Sequence, residues 1–327
     1  MTTALTPENV FMDRFALEPK VQRVWRVPHA TWFTLMGIGG AVFLLARGLG
    51  LLGTLGVFLG LPLADLVSFG AIAVGGLILI ADLGRPFRVW RAFTHWRTSW
   101  ITWGAISDAI FLVCGGLLIL PGLVIGDSAP LAGLPWTAEA SSAVGRALEI
   151  LAGAAAVVVV FYAGAVLAAP RSIPYWHSPA IPLQFVASSA AMAMGVILAL
   201  AAANDEPITG GQMGLLALFT GALLVLIGWH LSTRRTAPGK SHSIQALVQG
   251  RLRATFLGGV VLLGTSLPLV LGIVGAAVES LRAPFAVLAA VLLVAGGFLL
   301  RLCTLRAGVF PPVKLLTKDG EVSAVSR

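Results

Sequence analysis

DLGRPFRVWRAFTHWRTSWITW, residues 82–103, links two long apolar runs and gathers Arg85, Arg88, Arg91 and Arg97 around an acid, a proline and several aromatics. The runs on either side, residues 62–83 and 99–124, are each long enough to cross about 30 Å of hydrocarbon as a helix. The stretch therefore reads as a turn at a membrane surface that helps to build a binding site.

Working outward, similar runs occur at residues 30–52, 145–169, 181–203, 212–232, 255–279 and 284–306, which makes eight spans. Hydrophobic residues form 57% of the 327 and charged residues 11%, too few to coat a soluble globule of this size. The expected fold is an all-α integral membrane protein, a bundle of eight transmembrane helices. Its expected parts are a cytoplasmic N-terminal segment over residues 1–28, the transmembrane domain over 29–309 and a cytoplasmic tail over 310–327. Residues 1–26 lack the short apolar core of a signal peptide, so the first span is expected to be retained.

The net charge of +8 raises the question of nucleic acid, but the placement of the basic residues answers it. Arg14, Lys20, Arg23 and Arg26, the Arg85–Arg97 loop, Arg171, and Arg234, Arg235, Lys240, Arg251 and Arg253 fall on one side, with Arg306, Lys314, Lys318 and Arg327. The other side holds Arg47, Arg146 and Arg282 beside Asp127, Glu139, Asp205 and Glu206. The positive-inside rule then puts both termini in the cytoplasm of a bacterial inner-membrane protein surrounded by lipid, with no nucleic-acid partner.

Cys114 and Cys303 lie alone in separate spans, so neither an iron–sulfur cluster nor a structural zinc is expected in this chain. Of His29, His95, His177, His230 and His242 none is mid-span, so the facing pair that a membrane haem needs is missing. Asp65 and Glu279, near the outer ends of their spans, read as surface groups.

At one depth in the cytoplasmic leaflet, several segments bring polar or aromatic residues: His29, Asp82 with Arg85, Trp100, Tyr162, and Trp176 with His177. A quinone, ubiquinone or menaquinone, needs an apolar slot, hydrogen-bond partners for two oxygens and groups that pass protons. His29, Asp82, Tyr162, Trp100 and Trp176 fit that need. The same residue types also serve as plain interfacial anchors. Asp82 and Arg85 form a salt bridge if the helix continues to Arg85, which is compatible with either role. Asp108 lies about 13 Å into span three, at 1.5 Å per residue, and marks a proton path or a buried pair.

The residues Asp82–Leu83–Gly84–Arg85–Pro86, then Phe87–Arg88–Val89–Trp90–Arg91 and Thr98–Ser99–Trp100, resemble the turn between spans two and three of the polysulfide reductase membrane-subunit, or NrfD-like, family. Tyr162–Ala163–Gly164 resembles that family's Tyr-Thr-Gly, with alanine in place of threonine. Ile173–Pro174–Tyr175–Trp176, then Pro179 and Ile181–Pro182, resembles its turn into span five. The loops over residues 126–144 and 233–253 are longer than a minimal member needs.

The resemblance implies an eight-helix anchor without haem or metal that binds a quinone. It also implies electron exchange with a ferredoxin-like 4Fe–4S subunit serving a molybdopterin catalytic subunit. On it, Tyr162 and Asp82 would serve the quinone by motif, His29 by position, and Arg85, Arg88 and Arg91 would dock the iron–sulfur partner. Combined with the cytoplasmic side of the motif loops, it points to a sulfite dehydrogenase-like enzyme passing electrons to quinone. A proton-coupled or solute transporter and a purely structural anchor are the alternatives, although no internal repeat favours the transporter.

Overall fold

A computed structural model describes residues 20–82, 90, 97, 99–134, 142–233, 240–310, 313–316 and 322–325. Arg85, Arg88 and Arg91 lie outside the described residues, so the expected docking turn is not placed.

Among the described residues, eight helices are long and apolar enough to cross a membrane. They are α1 (Val27–Gly48), α2 (Leu63–Asp82), α3 (Trp100–Gly122), α4 (Ala143–Ala168), α5 (Ala180–Ala203) and α6 (Gly210–Ser232), followed, after a short helix α7 (Lys240–Val248), by α8 (Ala254–Ala277) and α9 (Glu279–Arg306). The expected spans agree with these to within a few residues. The first begins earlier than its hydropathy suggests, because Pro28 sits in the first turn, where a missing N–H costs nothing.

Helices α1 to α4 form one half of the bundle, and α5, α6, α8 and α9 the other. The halves meet where α1 packs on α5 and α9 and where α4 packs on α5. Helix α1 is thus central and the most enclosed of the eight. Its small residues allow this, since helices in lipid associate through close packing rather than through a hydrophobic driving force. Where α8 crosses α9, Gly264 and Gly296 are in backbone contact, and a Cβ on either would overlap the other's Cα. Deeper in the first half, Phe43, Phe69 and Phe111 join α1, α2 and α3, with ring centroids 4.9 to 6.3 Å apart.

The ends of the described bundle are tied together at one face. Strand β1 (Lys20–Val21) pairs antiparallel with β4 (Val309–Phe310), Lys20 opposite Phe310. Gln22 reinforces the pair: its Nε2 donates to the Leu305 carbonyl at 2.7 Å, and its Oε1 accepts from the Trp25 amide at 2.8 Å. At the opposite face, a hairpin of β2 (Val57–Phe58) and β3 (Leu61–Pro62) turns through Leu59 and Gly60, both at positive φ. A third strand pair, β5 (Val313–Leu316) with β6 (Val322–Val325), follows α9.

One expectation is overturned near that opposite face. Asp65 is buried rather than at the surface, 1% exposed, and accepts two hydrogen bonds from Arg47 at 2.6 and 3.0 Å. A carboxylate cannot be left bare in an apolar bundle, and the guanidinium at the end of α1 satisfies both of its oxygens. Glu149 of α4 approaches the same guanidinium at 3.5 Å, and the guanidinium lies 3.8 Å from the Phe43 ring centroid. Glu279, by contrast, is exposed, as expected, and pairs with Arg282.

Candidate functional site

The site grows from the first turn of α1. Arg26 precedes the helix, and His29 is placed so that its Nδ1 lies 3.5 Å from the Arg26 amide. Asp82, the last residue of α2, brings Oδ2 to 3.6 Å from the same Nδ1, and its Oδ1 lies 3.8 Å from the Arg26 guanidinium. Asp82 therefore turns back to α1; its expected partner Arg85 lies outside the described residues. No hydrogen bond engages His29 Nε2 among the described residues.

Pro28, His29 and Trp32 on one side, and Ile78, Leu79 and Asp82 on the other, line a narrow cleft between α1 and α2. Trp32 forms its inner wall. That side chain is buried; its indole N–H makes no hydrogen bond of full geometry and has the Tyr162 hydroxyl as its polar neighbour. Behind it, the Tyr162 ring of α4 lies 5.9 Å away, centroid to centroid.

Tyr162 is 1% exposed, and its hydroxyl donates to Asp108 Oδ2 at 3.4 Å. Asp108 is thus one half of a buried pair with Tyr162. Its Oδ1 is buried without a hydrogen-bond partner. Tyr162 can reach this place because Gly104 of α3 has no side chain: a Cβ there would overlap the phenol ring.

The other two expected ligands sit apart. Trp176 is buried at the foot of the bundle, where its Nε1 donates to the Thr304 carbonyl at 2.8 Å. It connects to His29 through Trp25, with ring centroids 6.3 Å apart for Trp25–Trp176 and 4.8 Å for Trp25–His29. Trp100 is 41% exposed and meets Phe161, one helical position from Tyr162 and on a different face of α4. Three of the five, His29, Asp82 and Tyr162, thus cluster about Trp32; Trp176 lies in an aromatic layer beside them and Trp100 on the outer surface.

Next to Trp176, the Tyr175 ring stacks on His230 at 4.6 Å, and burial pushes the Tyr175 hydroxyl above its ordinary range. Sequence reasoning passed over Trp32, although its spacing of three from His29 puts it on the same helix face. It also passed over Arg301, a charge inside α9 that hydropathy averaging conceals. Among the described residues, no group of three or more His, Cys, Asp or Glu side chains could hold a metal ion.

Comparison with known proteins agrees with this framework. The family model described as polysulphide reductase, NrfD, matches residues 17–312. The C subunit of polysulfide reductase from Wolinella succinogenes is 30% identical over 253 residues, which is 72% of this protein and 78% of the relative. The match takes in all eight spans and both halves of the cleft: this chain belongs to the polysulphide reductase NrfD family.

Proposed function

We propose that the chain is the membrane anchor and quinone-reactive subunit of an oxidoreductase complex, with the α1–α2 cleft as its quinone site. The observation that carries this reading is the pairing of His29 with Asp82 at 3.6 Å at the mouth of an apolar cleft walled by Trp32, with the buried Tyr162–Asp108 pair behind it. Interconversion of a quinone and its quinol moves two electrons and two protons, so the site needs groups that give and take protons at the ligand oxygens.

Residues of this chain meet that need in two places. His29 offers Nε2 to the ligand while Asp82 faces Nδ1, an arrangement that orients the imidazole. The Trp32 N–H supplies a fixed donor, and Tyr162 with Asp108 forms a buried pair behind it along which a second proton could leave. Trp176 backs the aromatic layer, and Trp100, on the outer surface against Phe161, stands outside the cleft.

The face bearing β1, β4 and the start of α1 is also the face of Arg23, Arg26, Arg251 and Arg306, so the positive-inside rule favours the cytoplasm for it. A ferredoxin-like 4Fe–4S subunit would dock there through Arg85, Arg88 and Arg91 and connect to a molybdopterin catalytic subunit. That orientation favours a sulfite dehydrogenase-like complex delivering electrons to quinone.

The test uses the intact complex purified from membranes. Tyr162→Phe and Asp82→Asn are expected to assemble with the iron–sulfur subunit yet lose quinone-coupled electron transfer. Wild-type quinone turnover in both variants would place the site elsewhere.

A further inference from the structure

Arg301 is, with Asp65, one of the two most enclosed charges among the described residues. It is 1% exposed, lies inside α9, and forms no ion pair there. Its donors instead reach neutral acceptors on three helices. Nε donates to the Phe33 carbonyl of α1 at 3.2 Å. Nη1 donates to Ser188 Oγ at 3.1 Å and to the Gly297 carbonyl at 3.0 Å, and Nη2 to Ser189 Oγ at 2.9 Å and the Phe185 carbonyl at 3.4 Å. The Phe185 ring, 4.9 Å from the guanidinium carbon, faces it as well.

Packing alone does not account for such a residue. A methionine would fill the space without the cost of taking a cation out of water, which amounts to several kcal/mol even after relaxation. Hydrogen bonds to carbonyls and hydroxyls satisfy the N–H groups but leave the net charge uncancelled. That charge therefore projects into its surroundings, where the low dielectric strengthens it.

Its nearest route outward leads to the cleft. Phe33 is one helical turn from His29, about 6 Å along the axis. Its ring stacks on Trp32, the inner wall of the cleft, at 4.6 Å. The Arg301 charge thus lies behind that wall, level with Gly37 and about 12 Å along the helix axis from His29.

We propose that Arg301 is an electrostatic positioning residue for the cleft: its buried, uncompensated cation favours the anionic form of a hydroxyl-bearing ligand bound beside His29 and Asp82. This rests on the assignment of the α1–α2 cleft as a quinone site. Other charges face the ligand from closer range, namely Asp82, His29 and Arg26, with Asp108 and Tyr162 behind Trp32. They stay constant when only Arg301 is changed. At about 12 Å and an effective dielectric of about 20, the Arg301 charge alters an acid dissociation constant by roughly tenfold.

The test titrates an alkyl 2-hydroxy-1,4-naphthoquinone bound to the intact complex, following ionisation of its hydroxyl by absorbance. Loss of the bound spectrum in His29→Ala identifies the cleft as its location. In Arg301→Gln, which keeps an amide donor but no charge, the bound hydroxyl is expected to become roughly tenfold less acidic than in wild type. Arg301→Lys, which keeps the charge and gives up the forked donors, should stay within about twofold of wild type even if it melts earlier. Equal acidity in wild type and Arg301→Gln overturns the proposal. Should Arg301→Gln fail to assemble, wild type decides: a bound hydroxyl no more acidic than in solution also overturns it. Failure of the probe to bind wild type sinks the assignment of the cleft and this inference with it, whereas binding without the shift sinks this inference alone.

Discussion

Gly104 of α3 lies against the ring of Tyr162 in α4, so close that a single added methyl would overlap three of its ring carbons. The contact fixes where the phenol can sit and hence its reach to Asp108. Gly104→Ala is expected to push Tyr162 off that carboxylate and destabilise the protein by about 1–3 kcal/mol, the usual cost of overpacking. Thermal unfolding in detergent measures the loss. Quinone turnover in the same variant should fall towards that of Tyr162→Phe, and an unaltered rate would mean that the Tyr162–Asp108 bond has no part in coupling.

At the mouth of the cleft, Asp82→Asn keeps the shape of the side chain and removes its charge. The imidazole of His29 then loses the carboxylate that favours its protonated form. A positioned acid–base group contributes on the order of 10²–10⁴ to rate, so quinone-coupled turnover should drop by at least tenfold while complex assembly is retained. The decrease should be largest around the pH at which the wild-type imidazole loses its proton and should narrow above it, where the imidazole is neutral in both proteins. A uniform decrease across pH would argue that Asp82 only fastens the end of α2.

The Arg47–Asp65 pair makes a separate prediction about stability. Asp65 is almost wholly enclosed, so Arg47→Ala leaves a bare carboxylate and should cost about 3–5 kcal/mol. Glu149, more exposed and at 3.5 Å, should matter far less, with Glu149→Gln within about 1 kcal/mol of wild type. Replacing Arg47 and Asp65 together with apolar residues should recover much of the single-variant loss, as read from a double-mutant cycle of melting curves.

Gln22→Ala cuts the three bonds by which the Gln22 side chain holds Trp25 and the end of α9. The expected cost is about 1 kcal/mol per bond. Amide hydrogen exchange should rise at residues 20–25 and in Val309–Phe310, with the spans unchanged. Protection that stays the same in β1 would show that the strand pair holds without its side-chain tie.

The chain has two tyrosines, so Tyr162→Phe leaves Tyr175 as the one phenol to titrate. Burial raises its pKa, which means that the folded state favours the neutral form. The corresponding stabilisation is fully present below pH ~10, where an unfolded tyrosine begins to ionise, and is lost as the pH climbs from there. Tyrosinate absorbance should therefore be missing from the folded variant at pH 11 and appear on unfolding. An ordinary transition near pH 10 in the folded protein would show that Tyr175 is open to water.

Much of the fold is legible in the chain because lipid imposes a simple rule of length and polarity, and each run of about 20 apolar residues answers it. The common depth of His29, Asp82 and Tyr162 follows from the same count of residues along each span. Which of them touch does not follow, because it depends on how the helices are rotated. Trp100 and Tyr162 share a depth, yet Trp100 meets the neighbouring Phe161 on an outward face, while Tyr162 turns to Asp108. The Asp65–Arg47 pair spans two helices and escapes a reading that weighs each residue alone. Arg301 escapes for the opposite reason: between the end residues of Arg282–Arg306 it is a single cation in a long apolar run and scarcely dents the average hydropathy.

The bonds from Arg301 also order the assembly of the protein in time. Their acceptors on α1 and α5 are synthesised and delivered to the bilayer before α9 leaves the ribosome, so Phe33, Ser188 and Ser189 wait for a donor that arrives with the last helix. The two halves of the bundle can meet early, but their seam is keyed only when the final span slides in, and a chain stalled before residue 301 lacks that key.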